Sequence, residues 1–285
     1  MAAIGAARTT VETLRRTPRL FYAGVAVAAL IAPQHLLRLF VPLVPRLLGV
    51  LTFSVAVFVY AALFAAVAHA TTGTASLDAA IEAGRERYLP LLGGKLIAAI
   101  AQVAWMAAIG GTAVATLVTV SESQSVTALL QFDGTLAEAI LGSTAGNIGL
   151  VVVVTLLVAG PVAWFVVQFY DVAIVLGDGG IVDGFRQSVR IVEARPIAAL
   201  GYTAIRVGVY ALVAGLPWAM AILFAIVVPS AGSGVAAEMT VLIGVMVLGM
   251  VMTIVPVITT VVLVPLLGTD KVEFFEHVAE SETMA

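Results

Sequence analysis

The sequence predicts an all-α protein, a polytopic membrane helical bundle of six transmembrane helices built as three repeats of an interfacial amphipathic helix plus a transmembrane hairpin. Three observations predict it. Hydrophobic residues make up 61% of the chain and charged residues 11%, with a mean hydropathy of +1.12. Soluble domains average roughly 45 to 50% and about 25%. Six apolar stretches can be drawn, each long enough for a bilayer that needs about 20 residues per spanning helix. Basic residues gather at alternate connections between these stretches.

The stretches lie at 19–37, 47–69, 91–119, 147–176, 197–228 and 238–267. The first is interrupted by Pro33, Gln34, His35 and Arg38. It is expected to be a short span that continues as an outer interfacial or re-entrant piece ending near Pro45 and Arg46. The last four exceed one bilayer thickness, which implies tilt or bending, with Pro161, Pro217 and Pro256 as bend points. The outer segment 121–147 alternates polar and apolar residues and is expected to cap the bundle with two short helices. The whole chain, 1–285, reads as one integral membrane domain with units at about 1–70, 74–176 and 179–267. Residues 268–285 form an acidic cytoplasmic tail, with Asp270, Glu273, Glu276, Glu280 and Glu282 around Phe274 and Phe275, expected as a short interfacial helix that frays into a solvated end.

Orientation follows from the bases. With the N-terminus inside, the inner connections collect Arg8, Arg15, Arg16, Arg19, Arg85, Arg87, Lys95, Arg186, Arg190, Arg195 and Lys271, whereas the outer side holds Arg38 and Arg46. Both ends are therefore expected in the cytoplasm, in a multi-pass protein of the cell membrane. The run after Arg19 lacks a small-residue cleavage site, so the N-terminal segment is expected to be retained.

The repeat is read from spacing to proline. Ile4, Ala7, Val11 and Leu14 precede Pro18 by 14, 11, 7 and 4 positions, and Val182, Phe185, Val189 and Val192 precede Pro196 by the same distances. That spacing is one face of a helix. Charged residues occupy the other side: Arg8, Glu12, Arg15 and Arg16 in the first helix, Asp183, Arg186, Arg190 and Glu193 in the second. A looser third copy has Leu77, Ile81, Gly84 and Tyr88 against Asp78, Glu82, Arg85 and Glu86, closed by Pro90. Such helices lie at the headgroup level with the apolar face in the lipid boundary or against the bundle, either as topological anchors or as surfaces for lipid or a cytoplasmic partner. Arg8, Arg15, Arg16, Arg85, Arg186 and Arg190 are the candidate lipid headgroup contacts.

Arg206 stands ten residues past Pro196 in an otherwise apolar run. An ionisable residue in a span costs about 2.5 to 3.5 kcal/mol on insertion scales and calls for a partner. Asp171, near the inner end of the fourth stretch, is the candidate. The two form a structural ion pair locking the fourth and fifth spans or a substrate or ion site, or else Arg206 simply reaches the inner interface.

Other chemistry finds little footing. The chain has no cysteine, which removes disulfides and thiolate chemistry. The three histidines, His35, His69 and His277, lack metal-ligand spacing. No phosphate-cradling loop or nucleophile elbow occurs, and Gly177, Asp178, Gly179 and Gly180 read as a tight reversal. No cofactor, metal, nucleic acid or enzymatic activity is expected. The expected partners are membrane lipids, a protein or a second copy of the chain. The runner-up reading is a small transporter with a site near Arg206 and Asp171.

The segment Phe169-Tyr170-Asp171-Val172-Ala173-Ile174-Val175, then Gly180-Ile181-Val182-Asp183-Gly184-Phe185-Arg186-Gln187-Ser188-Val189-Arg190 and Arg195-Pro196, resembles an uncharacterised prokaryotic family of six-helix membrane proteins common in halophilic archaea. That family is similar to the membrane domain attached to some glycerophosphodiester phosphodiesterases. The resemblance is sharpest over 165–205. It implies membrane architecture without hydrolysis, because catalysis in those enzymes belongs to a separate soluble barrel, and it carries over no site residues.

Overall fold

The computed structural model describes residues 2–37, 44–71, 77–121, 140–177, 179–227, 255 and 257–278. Among them the chain is helical throughout its regular structure. In order the helices are α1 (Ala2–Arg16), a 3-10 turn (Pro18–Leu20), α2 (Phe21–Leu37), α3 (Val44–Thr71), α4 (Leu77–Ser121), α5 (Thr144–Val167), α6 (Tyr170–Leu176), α7 (Ile181–Ala194), α8 (Pro196–Val227) and α9 (257–278).

The chain divides into two compact units, one of Met1–Leu92 with Phe169–Ala285 and one of Gly93–Gln168. In the second unit, Trp105 Nε1 donates to Leu156 O at 2.8 Å. Thr116 packs on Gly149, where an added Cβ would come 2.8 Å from the threonine Cβ. As numbering rises along α4 it falls along α5, so these helices run antiparallel. Their outer surface is apolar, with Ile100, Val103, Val151, Val154 and Val158 all exposed, a surface suited to lipid and not to water. Among the described residues, three helices are long and apolar enough to cross a membrane: Gly49–Ala70, Asp78–Val120 and Thr144–Leu176, with a shorter apolar helix at Pro196–Leu212. These are the helices of a membrane protein.

The first unit holds the buried core. α2 packs on α3, α6 on α3 and α7, and α8 on α1 and α7. α6 is buried along Tyr170–Val175 and packs on α3, in which Val57, Ala61, Phe64 and Val67 are buried. Small residues allow the closest approaches. A Cβ on Gly24 would meet Pro265 Cδ at 2.9 Å, and one on Gly84 would meet Ala62 Cβ at 3.1 Å.

Several sequence expectations change. α2 runs through Pro33 to Leu37, and α4 runs through Pro90. An apolar helix tolerates an interior proline where neighbouring groups re-satisfy the freed carbonyl. Pro45 and Arg46 lie in the first turn of α3, a position that suits proline. The fourth stretch breaks at Gln168 and Phe169, beyond Pro161, which lies inside α5. Residues 268–275 of the expected tail are a buried part of α9, because Val272, Phe274 and Phe275 give that segment an apolar face. Residues 38–43 with Arg38, most of 121–147, more than half of the sixth stretch (238–254 and Pro256) and Glu280 and Glu282 lie outside the described residues.

The amphipathic helices turn toward the bundle a face of mostly small residues, which shares only Leu14 and Val192 with the large apolar face. α1 buries Ala6, Thr10 and Leu14, at 12, 8 and 4 positions before Pro18, while Ile4 is 73% and Val11 48% exposed. α7 buries Gly184, Ser188 and Val192 at the same three offsets from Pro196, while Val182 is 61% exposed. Before Pro90, by contrast, α4 buries Ala80 and Gly84, at offsets of ten and six. The cause is close packing: a Cβ on Gly184 would collide with Ile174 Cγ1 and reach 3.1 Å from the Tyr170 carbonyl oxygen.

Candidate functional site

Gln168 and Phe169 interrupt the helix, and this turn starts α6 inside the core with Asp171 in its first turn. Ser188, fully buried on α7, accepts a hydrogen bond from Phe169 N–H at 3.0 Å. The serine thereby satisfies a donor that the helix break sets free. Tyr170 stacks on Phe185 of α7 at 4.6 Å between ring centroids. On the other side, Phe169, Tyr202 of α8 and Phe274 of α9 form a three-ring cluster with centroids 5.0 to 5.2 Å apart.

The polar heart of the site is an ion pair. Lys271 Nζ of α9 donates to Asp171 Oδ1, and the same oxygen accepts from Val172 N–H at 3.0 Å. Both side chains are 6% exposed, so each charge has left water and depends on the other. Two residues on along α9, Glu273 accepts from Thr13 Oγ1 of α1 at 2.7 Å. Asp270, past the sixth apolar stretch, is also buried. Burial pushes its carboxyl up to about 6, the Arg206 guanidinium pulls it down and neighbouring Glu273 pushes it up. The site thus gathers three carboxyl groups and two bases, holds α9 to α6 and α1, and can take up a proton at Asp270.

Of the two residues singled out from sequence, Asp171 is in this site and Arg206 borders it. Arg206 donates to Tyr202 Oη at 3.4 Å and lies 5.7 Å from the centre of the Tyr210 ring. Its charge acts on both Asp171 and Asp270. The ion-pair partner found for Asp171 is Lys271, which sequence reasoning placed among the bases of a solvated tail. A signal was available: Lys271 is one of only two lysines and is followed by Val272 and then Phe274 and Phe275.

The candidate lipid contacts stand apart from this cluster. Arg8, Arg15, Arg16, Arg85, Arg186 and Arg190 are all exposed. Arg16 pairs with Glu12, and Arg186 lies 3.7 Å from Asp183. Among the described residues no three His, Asp or Glu side chains are placed to hold a metal ion. The His69 ring nitrogen Nδ1 lies 2.7 Å from its own helix at Ala65 O.

Residues 1–277 match the family model of a domain of unknown function, DUF7847. The chain belongs to the DUF7847 family. No curated protein and no solved structure matches it. The DUF7847 match takes in α1, α7, Asp171, Arg206, Asp270, Lys271 and Glu273, so the buried cluster and both proline-ended helices are parts of the domain itself.

Proposed function

We propose that this DUF7847 protein is a non-enzymatic module of the cell membrane that acts on lipid or partner proteins at its cytoplasmic face. It crosses the membrane six times, keeps both ends in the cytoplasm and is built from three units of interfacial helix plus hairpin, two of them close copies. The observation that carries this reading is the matched burial of α1 and α7. Both helices dock at offsets of 12, 8 and 4 from a proline and leave basic residues exposed. Helices whose backs are fixed to a bundle and whose fronts are basic are built to present a surface. α4 departs from this register, and the third unit rests on its charge pattern alone.

A transport reading draws on one observation, the half-buried Arg206 in an apolar helix among Tyr202 and Tyr210. Lys271 on Asp171 weighs against it, since the acid that would coordinate a cargo already holds a base.

Mass spectrometry of the full chain purified from native membranes tests the proposal. Lipid or one defined protein retained at stoichiometric level is expected. A chain that carries neither, and whose proteoliposomes take up a solute in a manner abolished by Arg206→Leu, would replace it with the transport reading.

A further inference from the structure

α1 and α7 match on their outer faces as well, where every residue of the shared stripe is exposed except the half-buried Val189. Ile4, Arg8 and Val11 stand 14, 10 and 7 positions before Pro18, and Val182, Arg186 and Val189 stand at the same offsets from Pro196. At roughly 100° per residue those three positions fall on one narrow stripe, and the buried positions at 12, 8 and 4 fall on the other side of the helix. Ile4, Arg8, Val182 and Arg186 are exposed. The next position diverges, with Arg15 in α1 and Glu193 in α7.

A stripe of apolar residue, arginine and apolar residue fits few surroundings. Water leaves the aliphatic groups hydrated at a cost, and a dry protein contact strands the charge. A phospholipid boundary satisfies both, with the branched side chains at the acyl edge and the guanidinium forked onto phosphate oxygens. The position of α7 agrees. It begins five residues after Leu176, the end of a helix long enough to cross a membrane, and stops one residue short of the apolar helix Pro196–Leu212. Arg186 shares its charge with Asp183 at 3.7 Å, but both side chains are more than 60% exposed, and such pairs yield readily.

We infer that the Ile4–Arg8–Val11 stripe of α1 and the Val182–Arg186–Val189 stripe of α7 bind anionic phospholipids, with Arg8 and Arg186 on the headgroup phosphates. This rests on the membrane placement proposed above. The two stripes are equivalent lipid sites, one at the head of each copied unit.

Native mass spectrometry of the purified full chain, titrated with phosphatidylglycerol or phosphatidylcholine, reads this directly. Phosphatidylglycerol is expected to bind at lower concentration. Arg8→Gln and Arg186→Gln each weaken it about fivefold and together by the product. Arg16→Gln, off the stripe and paired with Glu12, leaves it unchanged. Equal binding of the two lipids, unaltered binding by the stripe variants, or displacement of the lipid by inorganic phosphate would overturn the inference. Single cysteines in place of Arg8 and Arg186 keep the two levels apart. If an impermeant thiol reagent finds them on opposite sides of the membrane, the membrane placement itself falls. If they share a side and no lipid preference exists, only the lipid sites fall.

Discussion

Lys271 and Asp171, one hundred positions apart in the chain, form a buried ion pair that ties α9 to α6. Removing one partner leaves the other charge buried and alone, a loss of about 3 to 5 kcal/mol, whereas replacing both by apolar residues of similar size is near neutral. Lys271→Met and Asp171→Leu are each expected to lower the melting temperature of the detergent-solubilised protein sharply. The double variant is expected to recover most of the loss. A double-mutant cycle with additive effects would show that the pair contributes nothing as a pair.

The pH response of Asp270 has a definite sign. Its carboxyl is raised from 3.8 to about 6 in the folded protein, so the folded state binds more protons than the unfolded state between these values. Stability from this group is full below pH 4, declines as pH rises to about 6 and is flat above. The shift corresponds to about 3 kcal/mol at roughly 1.4 kcal/mol per unit. Asp270→Asn is expected to melt higher than the natural protein at pH 7.5 and level with it at pH 4. The comparison is made by thermal melts in one detergent, and a gap that widens toward acid would contradict it.

Glycines separate by what surrounds them. Gly24 is within contact of Val261 and Pro265, and Gly184 of Ile174 and Tyr170, whereas a Cβ on Gly208 would meet no atom within 4 Å. Gly24→Ala and Gly184→Ala are expected to cost about 1 to 3 kcal/mol through overpacking. Gly208→Ala should be neutral or stabilising by about 0.4 to 1 kcal/mol. Melting temperatures of the three variants check the order.

The membrane character was legible in hydropathy alone, since runs such as 147–167 hold no charge. Asp171 was legible because an acid at the end of an apolar run has few explanations. Lys271 was not, because pairing across one hundred residues leaves no local spacing to read. The faces that α1 and α7 turn toward the bundle were not legible for a related reason. Amphipathicity weighs large apolar side chains, but Ala6, Thr10, Gly184 and Ser188 are buried because they are small. Pro33 and Pro90 read as breaks under the rules of water-soluble helices and are carried within continuous helices here.

Sidedness tests the central claim most directly. The chain has no cysteine, so single cysteines report without background. Arg8→Cys and Arg186→Cys place thiols on the exposed fronts of α1 and α7, and Gly142→Cys lies in open space before α5. In intact cells treated with a membrane-impermeant maleimide, Gly142→Cys is expected to label at once, and the other two only after permeabilisation. Labelling of either Arg8→Cys or Arg186→Cys in intact cells would contradict the account.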